Sequence, residues 1–378
     1  MTDSNWKVSI TTFNCEKEFP VDPSLENVRS LIIKRLLFKH RHEVKDIYVF
    51  GFQELAPIWE GSFPSIMNSY TDTLYQSIAS VLQTLFPADE FKLIGSETVG
   101  AIAMLVIGHA SVTVNEVLKN KVRCGMLDSS LKGGIGMCCT LQKNGGVNGT
   151  FTFICSHLTA NEGEKNIIRR REDFQSIMDS CDTQFGDYKD YHVFFFGDLN
   201  YRVKGWNHLN NTDYSNEETI NELLGNYEEF YHSKQSYDTY KNFIEARINF
   251  PPTYKYLRGS YKYNTKRIPS WCDRILYRAP NFKEDIDKLT EVYTSVDRIP
   301  ELQFTDHQPV MLVINLPQLS ETRLISLEQG PIVSNLQPNT LGDAVDIIIG
   351  YAGWLQHLKV HYLLVGLFLL YLLYIFFI

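Results

Sequence analysis

Eight short runs of strand character, apolar nearly throughout, recur between Trp6 and Ile314: WKVSITTF, DIYVFGF, AIAMLVIG, GMCCTL, TFTFICS, HVFFFG, RILY and PVMLVI. A strand that is apolar on both faces must be covered on both faces. These runs therefore exclude a half-solvated sheet and predict two packed sheets with helices outside. Helices are expected over 24–38, 65–86 and 161–181, the first opened by Pro23 and Ser24. The fold class expected is α+β: a four-layer sandwich of two mainly antiparallel β-sheets flanked by helices, with a C-terminal transmembrane helix added.

That last helix rests on Tyr362–Ile378 (YLLVGLFLLYLLYIFFI), 17 residues without a charge, which as a helix span ~26 Å. Residues 5–317 have even composition and read as one catalytic domain; 318–344 read as a polar tether, and 345–378 as a membrane-associated segment whose anchor helix covers about 360–378. For Val345–Leu355 (VDIIIGYAGWL) two readings stand equally, a helix in the membrane interface or one packed on the domain. The N-terminus carries no basic-then-apolar signal pattern, so a tail anchor with the domain facing the cytosol is expected. Its ~26 Å match the ~27 Å core of the endoplasmic reticulum better than the ~32 Å of the plasma membrane, which predicts the reticulum membrane. Seven scattered cysteines without a C-x-x-C pair read as reduced thiols.

Several strand runs end in groups that do chemistry: Asn14 after SITTF, Gln53 and Glu54 after YVFGF, His157 after TFICS, Asp198 and Asn200 after FFFG, while Asp306 and His307 precede PVMLVI. Singly, each is an ordinary polar strand end. Together they predict one site. Oxygen donors such as Asn14 and Glu54, with Asp198 and Asp306 nearby, suit Mg²⁺ rather than zinc. A carboxylate that takes a proton from water, and histidines that donate to phosphate oxygens, complete the set for metal-assisted phosphoester hydrolysis.

The motifs FQE (52–54), SHLTAN (156–161), FFFGDLNYR (194–202), PPTYKY (251–256), KRIPSWCDRIL (266–276) and TDHQPV (305–310) run in order along the domain. Together they resemble the inositol polyphosphate 5-phosphatases, here as a tail-anchored, fungal-type member. The resemblance implies the fold of pancreatic deoxyribonuclease, abasic-site endonucleases and neutral sphingomyelinases. It implies that Glu54 binds Mg²⁺ with Asn14 beside it, that Asp198 activates water, and that Asn200 orients the nucleophile and phosphate. His157 and His307 would contact the scissile phosphate, Asp273 would fix the His307 tautomer, and Asp306 would lie at the metal side. Tyr254, Lys255 and Arg267 are assigned by it to a 4-phosphate; Thr265 stands where relatives often carry a lysine, which makes Lys266 a substitute candidate.

From Pro251 to Arg278 there are seven basic residues and one acid, in a chain of net charge -8, so an anionic head group is expected there. Lys132 in LKGG and the pair Arg169 and Arg170 are further candidate phosphate contacts, with a plain loop and a solvated helix face as the bland alternatives. Cys272–Arg278 satisfies C-x5-R, but Ile, Leu and Tyr cannot form the glycine-rich phosphate cradle of a thiol phosphatase.

The expected function is Mg²⁺-dependent removal of the 5-phosphate from a phosphoinositide, most plausibly phosphatidylinositol 4,5-bisphosphate to the 4-phosphate, by a monomeric catalytic domain with no nucleic-acid partner. The rivals are a sphingomyelinase or nuclease of the same fold, and a catalytically inactive lipid-binding module. PPTYKY and RIPSWCDRIL argue against the first pair, and the filled catalytic positions against the second.

Overall fold

Along β1 (Trp6–Asn14) every residue but Lys7 is buried, and β2 (Ile47–Gln53) and β8 (His192–Asp198) are buried throughout. Alternate side chains leave a strand on opposite faces, so three apolar layers form, as expected. The protein is described here by a computed structural model covering residues 5–37, 43–143, 146–186, 191–207, 212–236, 238–278, 285–318 and 340–377. The remaining strands are β3 (Phe91–Val99), β4 (Ile102–His109), β5 (Val112–Arg123), β6 (Gly133–Lys143), β7 (Val147–His157), β9 (Asp273–Arg278), β10 (Thr290–Ser295) and β11 (Val310–Leu316).

One sheet has the order β10-β11-β1-β2-β4-β3, the other β5-β6-β7-β8-β9. Seven pairings are antiparallel and two, β1 with β2 and β7 with β8, are parallel. The sheets are thus mixed, each built around one parallel pair. Between them lie Val8, Ile10, Val49, Met104, Phe153, Phe194, Phe196 and Leu312. On the outer face of the first sheet, Ile32, Ile33 and Leu36 of α1 (Glu26–Leu36), with residues of α3 (Pro64–Leu85), meet Phe50, Phe52 and Leu105. The second sheet is covered by Phe174, Ile177 and Cys181 of α4 (Glu164–Phe185). Each such side chain contributes ~1.5–3 kcal/mol when fully buried.

Every expected strand is present, and β3, β5 and β10 are additional. All three are sheet edges with half-exposed patterns, so their sequences are too polar to stand out. The three expected helices are observed within a few residues of their expected bounds. The short helices α2 (Ile58–Gly61), α5 (Glu217–Asn226), α6 (Glu229–Ser236) and α7 (Ile286–Leu289) complete the domain.

Most of the expected tether, 319–339, lies outside the described residues; 340–344 are not tether but the first turn of α8 (Thr340–His357). It is followed by α9 (Val360–Phe377). Positions 361, 363, 364 and 377 of α9 are outside the described side chains. Among the described residues, no helix is long and apolar enough to cross a membrane.

The sheets approach closely at Gly51, where an added Cβ would lie 2.5 Å from Phe196 Cε2 and 2.6 Å from Cys155 Sγ. Gly51→Val should lower the urea midpoint by the equivalent of ~1–3 kcal/mol through overpacking. Equilibrium unfolding followed by tryptophan fluorescence measures it.

Candidate active site

Strand register assembles the site. In the second sheet Gly133 pairs with His157, His157 with Asp198 and Asp198 with Asp273, so three neighbouring strands bring His157, Asp198 and Asp273 side by side. In the first sheet Asn14 pairs with Gln53, which places Glu54 just beyond. The parallel pair of each sheet thus ends at the same place, and Asn14 Nδ2 bridges the two sheets by donating to Asp198 Oδ2 at 2.8 Å. Gly197 is obligatory here: a Cβ would lie 1.9 Å from the Ser156 carbonyl oxygen. Glu54 and Asn200 both hold left-handed backbones, φ 47° and 58°, a cost of ~1–3 kcal/mol that clusters at functional sites.

Asp198 is buried. Its Oδ1 accepts the Asn200 backbone N–H at 3.0 Å, and its Oδ2 lies 3.3 Å from His157 Nε2 and 3.9 Å from His307 Nε2. Burial alone would raise its pKa; the hydrogen bond and charge of His157, then His307 and Lys132, hold it well below the usual carboxylate range. Glu54 behaves alike: burial is outweighed by His157, by Lys17 at 3.3 Å and by Lys132.

The two histidines are pushed apart. His307 Nδ1 bonds Asp273 Oδ2 at 2.9 Å, and Thr253 Oγ1 donates to the same oxygen at 2.7 Å. Burial would lower the His307 pKa, but Asp273, then Asp198 and Asp306, raise it to about 9. His157 contacts the Lys132 ammonium, and burial together with that charge lowers its pKa. Their surroundings thus push the two rings in opposite directions, His307 toward the cation and His157 away from it. Lys132, half-buried, is itself lowered by burial to about 8, despite Asp198 and Glu54 nearby.

Other candidates separate cleanly. Lys255 Nζ lies 2.7 Å from Asp306 Oδ2 and Asp306 Oδ1 lies 3.7 Å from His307 Nε2, which brings both to the site. The Tyr254 ring packs 4.5 Å from that of His307. Arg267 is half-exposed, 4.0 Å from Glu162, and Lys266 is exposed. Arg170 is not a phosphate contact: it is buried, bonding Glu229 Oε2 at 2.6 Å and the carbonyls of Thr159 and Asn161. Arg169 is likewise held, by Asp173 at 3.1 Å and the Cys124 carbonyl. The basic surplus of 251–278 is partly spent within the fold, since Arg274 pairs with Glu228 and Glu245, and Arg258 with Glu16.

Sequence reasoning gave no role to Arg202. Buried, it bonds the Asn200 side chain and backbone and lies 4.4 Å over the Tyr254 ring, and its Nη1 has no hydrogen-bond partner. Its place at the end of GDLNYR was the available signal. Cys272 is buried and its thiol pKa raised well above the ordinary value by burial, which removes it as a nucleophile.

Two donor sets could receive a divalent cation. Glu54 is an oxygen donor and partly open, as a hard, hydrated cation requires; Asn14 is buried, its Oδ1 accepting the Glu16 N–H at 3.0 Å. Asp198, Asp273 and His307 present ligand atoms within 4.8 Å of one another, but there His307 and Asp273 already satisfy each other and a nitrogen donor suits a softer ion. The first set fits Mg²⁺ better.

Residues 11–313 match Endonuclease/Exonuclease/phosphatase family 2. The chain belongs to that family. It is similar to Synaptojanin-1 of Rattus norvegicus (26% identical over 80% of this chain and 21% of that protein). It is also similar to phosphatidylinositol 3,4,5-trisphosphate 5-phosphatase 1 of Xenopus laevis (31% identical over 70% of this chain and 26% of that protein). It thus spans about a fifth to a quarter of the length of these relatives. Among solved structures it is similar to the inositol polyphosphate 5-phosphatase domain of SpSynaptojanin in complex with inositol (1,4)-bisphosphate and calcium ion. That likeness has a TM-score of 0.63 and 21% identity, and covers 82% of this chain and 84% of the other. A Cimex nitrophorin ferrous NO complex, TM-score 0.56 at 17% identity over 83% and 99% of the two chains, shares the same architecture. Members of one fold bind unlike ligands, so function must be argued from the site.

The Asp273–His307 pair sets a pH limit. Because the His307 pKa is raised from 6.5 to about 9, its contribution to stability is fully present below pH 6.5 and is lost as pH rises through about 9. In Asp273→Asn, the His307 titration midpoint should fall below about 9, with the alkaline limb of stability moving the same way. Imidazole ¹⁵N shifts over pH 5 to 10 read the midpoint directly.

Proposed function

We propose that this chain is a phosphoinositide 5-phosphatase that converts phosphatidylinositol 4,5-bisphosphate to the 4-phosphate and inorganic phosphate. The observation that carries the reading is the convergence of Asn14, Glu54, His157, Asp198, Asn200, Asp273 and His307 at one end of both sheets. Two of the proteins named above, the Xenopus laevis relative and the SpSynaptojanin domain, carry 5-phosphatase names, which supports the same substrate class.

In this reading Asp198, held ionised, accepts a hydrogen bond from the attacking water and takes its proton as the bond to phosphorus forms in line; the bond from phosphorus to the inositol 5-oxygen breaks, and that oxygen leaves as the hydroxyl after taking a proton from solvent. Asn200, fixed by Arg202, orients that water. The His307 imidazolium and the Lys132 ammonium donate to the phosphoryl oxygens whose charge grows, and Arg202 Nη1 is a further donor to them. His157, beside Asp198 Oδ2 and the Lys132 ammonium, would orient these groups toward the phosphate. Mg²⁺ held by Glu54 with Asn14 would act as a Lewis acid on the phosphate oxygens. Lys255, Arg267 and Tyr254, with Lys266 at the rim, would receive the 4-phosphate, a guanidinium and an ammonium being suited to that dianion.

The domain is proposed to act as a monomer and to be fixed to the endoplasmic reticulum by 362–378 as a tail anchor of fungal type, facing the cytosol. Support comes from the uncharged run of 362–378 itself.

Purified protein assayed against a phosphoinositide panel tests the reading. Asp198→Asn should lower turnover by a factor on the order of 10² to 10⁴ with the fold intact. Cys272→Ser should leave hydrolysis largely unchanged, chelator should abolish it, and added Mg²⁺ should restore it. Activity that survives chelation but not Cys272→Ser would mean a thiol mechanism.

Specificity has its own test. Lys255→Ala with Arg267→Ala should weaken hydrolysis of a 4,5-bisphosphate far more than that of the lipid bearing only a 5-phosphate. Each charged contact, worth ~1.5–3 kcal/mol, is lost only where a 4-phosphate receives it. Equal losses in kcat/KM on both lipids would assign these side chains to general positioning.

A further inference from the structure

A helix docked on a soluble domain normally buries its apolar stripe and exposes its polar face. α8 does the opposite. The residues it turns inward are Gly342, Asp346 and Gly350, with Gly353 beside them, while Leu341, Ile348 and Leu355 point outward, each more than two-fifths exposed, as is Leu358 just past its end. The outward set follows a 7, 7, 3 spacing, which is one continuous helical face.

The inward contact is specific. Asp346 Oδ1 accepts the Ser130 backbone N–H at 2.8 Å, and Asp346 Oδ2 lies 3.2 Å from Arg123 Nε. Arg123 Nη2 also bonds Asp343 Oδ1 at 2.6 Å. A Cβ at Gly350 would lie 2.8 Å from the Phe63 ring, and one at Gly353 2.6 Å from Trp59 Cβ, so the small residues allow the close approach. Tyr351 meets Phe63 edge to face at 5.5 Å, and His357 lies 5.4 Å from Trp59.

Two further observations say what covers the outward face. α9 begins after only Leu358 and Lys359, and Lys359, at φ 57°, breaks the helix axis between them. The apolar face therefore adjoins the start of the proposed anchor along the chain. Second, α8 docks at the catalytic end of the sheets: Arg123 ends β5 opposite Gly133, which pairs with His157, and α2 follows Glu54 by four residues.

We propose that α8 is an interfacial helix clamped between the domain and the bilayer, holding the catalytic end against the membrane that carries the anchor, so that lipid of that same membrane is hydrolysed. This rests on the tail-anchor reading above. The occupant is a phospholipid surface.

The experiment uses the full chain in phosphatidylcholine vesicles containing phosphatidylinositol 4,5-bisphosphate. The seven native thiols are buried, so a fluorophore can be attached at Ile348→Cys, Leu355→Cys or Phe368→Cys in turn, with spin-labelled phosphatidylcholine as quencher. Quenching at 368, 348 and 355 is expected. Quenching at 368 alone overturns the clamp and leaves the anchor standing, and covers the case of a face meeting protein or water; no quenching at 368 overturns the anchor, and the clamp with it.

Hydrolysis gives a second readout. Wild-type protein should act at least ~10-fold faster on its own vesicles than on added vesicles without enzyme, the effective-concentration gain of a held site. Gly350→Leu should open the clamp and reduce that ratio several-fold, with no change on a short-chain soluble substrate. Ile348→Asp, which leaves the inward contacts in place, should lower the rate on the protein's own vesicles. Equal rates on both vesicle populations for wild type would overturn the proposal.

Discussion

Burying the Asp198 carboxylate is the constraint on which the rest of the structure depends. An isolated ionised carboxylate in a protein interior is so unfavourable that it protonates instead. Here it stays ionised because Asn14 reaches it from the other sheet, the Asn200 N–H from the following turn, and His157 and His307 from its flanks. Asn14 is the member of this set that ties the carboxylate to the packing between sheets. The close packing of the two sheets, which leaves no room for a Cβ at Gly51, is thus joined by a hydrogen bond at the site.

The same cluster explains why two histidines of similar burial differ in pKa. His307 faces three carboxylates, Asp273 foremost, which outweigh burial and raise its pKa; for His157 burial leads and the Lys132 charge adds to it, against Asp198 and Glu54. A site whose two rings are pushed in opposite directions while Asp198 is held ionised has its donors and acceptors divided before a phosphate arrives.

Much of this was legible in the sequence. Central strands are buried on both faces, so their apolar runs stood out, and the polar residues that ended them marked the site; Asn14, Glu54, His157, Asp198 and His307 all meet there. Edge strands β3, β5 and β10 were invisible because half their residues face water. Charge was misread for a different reason. Arg170 and Arg274 looked like phosphate ligands or a basic surplus, yet their partners Glu229, Glu228 and Glu245 lie 59, 46 and 29 residues away along the chain. A local tally of charge cannot see pairing made by the fold: Arg274, though inside KRIPSWCDRIL, is spent on Glu228 and Glu245, whereas Lys132, from a plain glycine loop, meets His157.

The C-terminal segment shows the limit of hydropathy most sharply. VDIIIGYAGWL permits either a membrane-interface helix or a helix on the domain, because composition records how apolar a helix is and not which way its apolar side points. Docking through Gly342, Asp346 and Gly350 makes the two alternatives compatible. Glycine brings the backbones together, an aspartate fixes register on Ser130 and Arg123, and the large side chains are left over for a second, apolar neighbour. A polar inward face is stable here only because Asp346 is fully paired; an apolar residue in its place would leave the Ser130 N–H buried without an acceptor. The inversion of the helix and the pairing of that one aspartate are thus the same fact, seen from its two sides.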